Sequence, residues 1–216
     1  MTRPVADHEP RPQPDLFLRF VNTLSWDRGR TVDRLPDMPS ALGWLRAEHL
    51  LSDRVATMER ARLGHQTDEA ADRLERFHHL RTVIRAAAEE QVSSGVIAAD
   101  RVRDLNHILK HGLHYHQLEF GPEGNRYGMA RVGDRLDQAR AAIAGTFAAF
   151  LADDRPDRLR ICANPGCREL FVDRSPTGRR RWCNMRTCGN QAKAAAHRQR
   201  RRTVEPAALP VKAVAD

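Results

Sequence analysis

The sequence predicts an α+β protein: a mainly helical N-terminal domain with one small β-hairpin, followed by a compact module organised by cysteines. Three observations carry this. Apolar residues recur at three- and four-residue steps through most of residues 40–152, the period of helices that bury one face. One segment, His114 to Val132, instead holds Tyr115, Leu118 and Phe120, a Gly-Pro-Glu-Gly-Asn turn, then Tyr127, Met129 and Val132, the pattern of a hairpin. All four cysteines fall within residues 162–188, and none precedes them.

Taken in order, residues 1–14 are Pro-rich and polar and read as disordered. The apolar run Leu16 to Leu24 fits a short strand or a helical turn, and its periodicity does not choose between them. Ser25 to Pro39 reads as a polar loop. Ser40 can cap a helix with Leu42, Leu45, His49 and Leu50 along one face and Trp44 beside it. A second helical stretch covers about 53–63. Thr67 or Asp68 can cap a longer helix carrying Leu74, Phe77, Leu80, Ile84 and Ala88, which stops at Ser93-Ser94-Gly95. Residues 99–111 repeat the helical pattern, with Val102, Leu105, Ile108 and Leu109 facing inward. A final helix over about 134–152 buries Leu136, Ala139, Ile143, Phe147 and Phe150. Residues 15–154 are thus expected to form one α+β domain and 155–203 a second unit, with 204–216 a disordered tail.

The second unit holds Cys162-x4-Cys167 and Cys183-x4-Cys188, separated by fifteen residues. The N-terminus lacks the apolar stretch of a secretory signal, and no apolar run is long enough to span a membrane. The expectation is a cytoplasmic, nucleoid-associated protein. There thiols stay reduced, and clustered cysteines read as metal ligands. Four thiolates complete a tetrahedral shell around Zn2+ and leave no open position for catalysis. The compact pattern favours zinc over iron–sulfur. Ala163-Asn164-Pro165-Gly166 supplies the tight turn that aims the first two sulfurs at one point. Leu170-Phe171-Val172, a polar turn and Arg181-Trp182 read as a hairpin, with Phe171 and Trp182 filling a module too small for a large core. Cys188-Gly189-Asn190 then opens a helix that runs to Arg202. This order of knuckle, hairpin and helix is treble-clef-like.

At these residues the chain resembles a known family. Phe171-x-Asp173-x-Ser175, Arg180-Arg181-Trp182-Cys183 and Cys188-Gly189-Asn190 look like the CGNR zinc finger. Phe20-Val21-Asn22-Thr23-Leu24, Gly43-Trp44-Leu45 and Leu105-Asn106 look like the ABATE domain that precedes it. The resemblance covers about residues 16–203. It implies a bacterial transcription regulator with an α+β N-terminal domain and a C-terminal treble clef. One position departs from the pattern: Gln191 stands where the family name places Arg, which removes one cation from the helix start.

Charge points the same way. The net charge is +8. Residues 1–154 carry 21 Lys/Arg against 23 Asp/Glu, whereas residues 155–202 carry 14 against 3. Cations so concentrated suit a polyanion, and DNA is the expected partner. The candidate contacts are Arg179, Arg180 and Arg181 before the third cysteine, and Lys193, His197, Arg198, Arg200, Arg201 and Arg202 on the last helix. A zinc-stabilised adaptor for RNA or an acidic protein is the alternative. An enzyme is a weaker one, since the sequence holds no phosphate-binding loop, nucleophile elbow or Cys/His nucleophile pair. No catalytic residue is therefore assigned. Asn22, Trp26, Asp27 and Arg28 are candidates for a pocket that takes a small-molecule effector, and the N-terminal domain is expected to sense that effector or to pair two subunits as a homodimer. His107, His111, His114 and His116 read as polar residues at a helix end rather than as metal ligands.

Overall fold

A computed structural model describes residues 15–27, 30–121, 124–153 and 155–204. The expected disordered ends, 1–14 and the tail past 204, lie outside the described residues.

The N-terminal domain is a helical assembly with two hairpins. Leu16–Val21 form α1, which settles the open apolar run as helix. The structure then corrects the expected polar loop over 25–39. Leu24–Asp27 (β1) and Arg30–Asp33 (β2) pair antiparallel, with Trp26 opposite Thr31. Few apolar side chains mark these strands, because an ion pair holds the hairpin down. Arg81, buried on the long helix behind it, makes a two-pronged contact with Asp33 at 2.7 and 2.6 Å and also donates to Thr23 Oγ1 at 3.1 Å. Such charge-assisted pairs take the place of an apolar face.

Helix α2 spans Met38–Ala47. Its cap is Asp37 rather than the expected Ser40: the Asp37 carboxylate accepts from the Ser40 backbone N–H at 2.8 Å. The helix ends before His49, which sits at φ 59 beyond the expected apolar face. Ser52 caps α3, Asp53–Gly64. Helix α4, Thr67–Ser94, begins after Gln66, so neither expected cap acts as one. It ends where expected, at Gly95, whose φ of 73 is the left-handed conformation glycine adopts without strain.

Helix α5 covers Ala99–Leu109. Leu105 and Ile108 are buried, but Val102, expected inward, is 42 % exposed. Its stripe runs past the surface against which the helix packs. The predicted hairpin forms from β3, His114–Gly121, and β4, Gly124–Arg131. Its apolar side chains stay in solvent: Phe120 is 80 % and Tyr127 73 % exposed. Helix α6, Arg135–Ala152, is capped by Asp134, which accepts from the N–H groups of Leu136 and Asp137.

Helices α1, α2, α4 and α6 converge on a core of Phe17, Phe20, Phe77 and Phe147 with Leu42, Leu45, Leu80, Ile84, Leu136 and Ile143. Phe17 packs between Phe147 and Phe150, with tilted rings and centroids 5.2 Å apart in each pair. The cysteine unit grows out of this core. Leu159–Ile161 (β5) pairs antiparallel with Leu170–Val172 (β6), and Leu159 and Leu170 are buried in the helical core itself. Asn190–Val204 form the last helix, α7. Among the described residues, no helix is long and apolar enough to cross a membrane.

Candidate metal centre and basic helix

The first cysteine pair lies on the loop between β5 and β6. Cys162 N–H donates to the Glu169 carbonyl at 2.8 Å, which closes the strand pair just before the turn. Asn164 organises that turn, since its Oδ1 accepts from Gly166 N–H at 3.0 Å and its carbonyl accepts from Cys167 N–H at 2.9 Å. This places the hairpin of the finger differently from the sequence reading. Strand β6 pairs with the residues before Cys162, not with Arg181-Trp182. The cause is Asp173. Its carboxylate accepts from Ser175 N–H at 2.9 Å and from Arg180 N–H at 2.8 Å, which curls the chain through residues 173–180. Arg181 is thereby delivered to the knuckle, where its carbonyl accepts from Ala163 N–H at 2.8 Å. Burial raises the Asp173 carboxyl, but the hydrogen bonds from Ser175 and Arg180 outweigh it and bring the group down to about 2, so it is ionised at neutral pH.

The second pair is set by a wide π-type turn, Met185–Gly189, which Asn184 opens by accepting from Arg186 N–H at 2.8 Å. A methyl group on Gly189 would sit 2.7 Å from Trp182 Cδ1 and closer still to Met185 Sδ, so alanine here requires those side chains to shift. Phe171 and Trp182 pack with the four cysteines as the interior of the unit. Arg180 lies 5.3 Å over the Phe171 ring, and Arg181 lies 4.9 Å over Trp182.

The four sulfurs lie within 4.8 Å of one another. Cys167 and Cys183 are 3.6 Å apart, and Cys183 and Cys188 are 3.7 Å apart. A disulfide needs about 2.05 Å, and all four cysteines are free. Tetrahedral metal–sulfur bonds of about 2.3 Å instead require sulfurs about 3.8 Å apart, which matches. Burial pushes the Cys167 thiol up to about 12 and raises that of Cys183 as well. For Cys188, burial is outweighed by hydrogen bonds from Asn164 and the other thiols, and the group is lowered. A bound cation would supply the charge that turns the set into thiolates.

Helix α7 leaves this turn directly. Between Asn190 and Val204 it contains no acidic residue. Lys193, His197, Arg198 and Arg200 are exposed along it. The backbones of Arg201 and Arg202 continue the helix, while their side chains lie outside the described residues. Arg179, Arg180 and Arg181 are exposed before the third cysteine. Arg180 is also engaged in the fold, donating to the Cys183 carbonyl at 2.7 Å. Gln191 has a local role: its Oε1 accepts from Asn164 Nδ2 at 2.8 Å and ties the helix start to the first knuckle.

Of the expected effector residues, Asn22 and Trp26 have described side chains. Asn22 brackets the backbone of Leu170, donating to its carbonyl at 2.9 Å and accepting from its N–H at 3.1 Å. It is a clamp between the helical domain and β6. Trp26 is flanked by the guanidinium groups of Arg85 at 5.4 Å and Arg168 at 5.8 Å. Only the backbone of Asp27 is described, and Arg28 lies outside the described residues. His107 and His111 meet edge to face at 5.7 Å, and His116 stacks on Tyr127 at 5.2 Å. Among the described residues, the four cysteines alone form a cluster able to hold a metal.

Two family comparisons match the chain in succession. The ABATE family, described as "Putative stress-induced transcription regulator", matches residues 15–154, and the CGNR zinc finger matches residues 158–201. No curated protein matches the chain.

Proposed function

This chain belongs to the ABATE family and carries a CGNR zinc finger behind it, and from that premise we infer a transcription regulator that holds DNA through a Zn2+-organised finger. The observation that carries this reading is α7: an exposed, acid-free cationic helix launched from the turn that contains Cys188. Its fifteen residues span about 22 Å at 1.5 Å each. A B-DNA major groove, roughly 12 Å wide, admits such a helix. Cys162, Cys167, Cys183 and Cys188 would hold the zinc, and with all four positions filled its role is structural rather than catalytic. The protein is not an enzyme in this reading, and it acts in the cytoplasm at the nucleoid.

The hairpin β3–β4 suits subunit pairing. His114, His116, Leu118, Phe120, Asn125, Tyr127, Met129 and Arg131 share one face by register, and its middle is apolar and aromatic. Aromatic and apolar side chains so exposed are typical of an interaction surface. The expected partner is a second copy of this chain.

The test is fluorescence anisotropy of zinc-loaded protein with its own upstream DNA, bulk duplex and RNA across a salt series. DNA binding with preference for the upstream fragment, weakening steeply with salt, supports a regulator. Equal or better binding of RNA, or no binding of either, sinks the DNA reading in favour of an adaptor.

A further inference from the structure

A cavity of about 760 Å³ lies where α6 meets the finger. That volume falls within the roughly 300–1,000 Å³ of small-molecule sites. Its origin is a stripe of small residues on α6. Ala142, Gly145 and Ala149, spaced three and four apart, face the passing segment Val172–Ser175 without filling the gap, while Phe150 and Val172 add apolar wall. The cavity spans the two matched regions: α6 belongs to one, and Arg158 and Val172–Ser175 belong to the other.

Its polar groups divide into those already used and those left over. Thr146 Oγ1 accepts from Phe17 N–H and donates to the Ile143 carbonyl. Arg174 pairs with Asp15 at 2.5 Å. The Asp173 carboxylate is turned onto the Ser175 and Arg180 N–H groups, and Asp153 has an interaction of its own. Three groups remain. Among the described residues, the Arg158 guanidinium donates to a neutral carbonyl, that of Ser175, at 3.2 Å. Arg155 has no carboxylate partner among the described residues, and Ser175 Oγ, enclosed beside the Asp173 carboxylate, makes no hydrogen bond of normal geometry. An inorganic anion would satisfy these three and leave the apolar wall wet. A pure hydrocarbon would cover the wall and strip water from two guanidiniums. An organic acid with an apolar body does both jobs.

We propose that this cleft is the effector site, and that its ligand is a small organic acid whose carboxylate meets Arg155, Arg158 and Ser175 while its apolar body lies along α6. The site is distinct from the residues Asn22 and Trp26, which do not line this cleft. It rests on the sensing part of the proposed function and is independent of DNA binding.

The test uses the zinc-loaded full chain and isothermal titration calorimetry with decanoate and 4-phenylbutyrate as probes, and decanol as the uncharged comparator. Saturable binding at one site per chain is expected for at least one acid, with decanol at least tenfold weaker. Arg155→Ala should weaken the acid about tenfold. Ala149→Trp, at an exposed position of α6, should abolish binding by filling the cleft. Zinc content and circular dichroism establish that each variant is folded. Should Ala149→Trp fail to fold, Arg155→Glu supplies the second variant. Met58→Ser, at an exposed position of α3 that does not line the cleft, should bind as the parent does. No saturable binding of either acid at millimolar concentration overturns the assignment. So does binding unchanged in both cleft variants, or binding lost in Met58→Ser. Loss of DNA binding with acid binding intact would instead count against the finger reading alone.

Discussion

Replacing Asn22 by Ala should unlatch the finger from the helical domain. The side chain makes two hydrogen bonds to Leu170, one to its carbonyl at 2.9 Å and one from its N–H at 3.1 Å. Leu170 is 2 % exposed, so water cannot readily take over either bond. Each neutral bond contributes on the order of 1 kcal/mol, and a buried group left unpaired costs about 1–3 kcal/mol. Asn22 itself is half-buried, which favours the lower end, and the sum is about 2 kcal/mol. For a chain of this size that is a fall in Tm of roughly 4–8 °C. Urea unfolding followed by circular dichroism measures it. Asn22→Asp provides the discriminating comparison. A carboxylate still accepts from Leu170 N–H but puts a charged oxygen against the Leu170 carbonyl, so Asp should destabilise at least as much as Ala at neutral pH. A loss under about 0.5 kcal/mol in both variants would refute the clamp.

Three further outcomes follow from the same geometry. Chelation, or Cys188→Ser, should remove a single equivalent of metal and unfold residues 158–204 while α4 and α6 persist, seen as partial loss of far-ultraviolet helicity with retained near-ultraviolet core signals; complete retention of helicity would contradict a metal-organised finger. Gly189→Ala should weaken zinc retention against a competing chelator, because the new methyl would meet Trp182 Cδ1 at 2.7 Å; unchanged retention would mean that the turn relaxes freely. Arg81 holds the Asp33 carboxyl below its ordinary range, chiefly through their hydrogen bonds. A depressed carboxyl stabilises fully above its unfolded value near 3.9, and that contribution is lost as pH falls through the folded value. Asp33→Asn should therefore flatten the acid limb of stability against pH below about 5, and an unaltered limb would remove this pair from the acid response.

Much of the architecture was legible in the residues because it depends on local chemistry. The 3.6-residue apolar period of Leu74 to Ala88 marked α4, and Gly95 marked its end. Gly-Pro-Glu-Gly-Asn marked the hairpin that the structure places at β3–β4. Caps are ambiguous in sequence where two polar residues stand close together: Asp37 accepts, while Ser40 merely donates its backbone N–H. The hairpin β1–β2 is not legible locally because its support is Arg81, 48 residues from Asp33 in sequence, and no local pattern reveals such a partner.

By itself the sequence determined the cysteine set, the Asn164-Pro165-Gly166 turn between the first pair and the cationic, acid-free run from Asn190 to Val204. Ligand chemistry, turn sterics and charge are properties of residue type and short spacing. The tertiary structure alone decided that β6 pairs backward with β5, that Asn22 clamps Leu170, and that small residues of α6 leave a cleft beside Arg155 and Arg158. Each of these depends on which surfaces meet when the finger docks on the helical core. A contact between distant segments is selected by the packing of the whole chain, and no stretch of residues read alone carries that information.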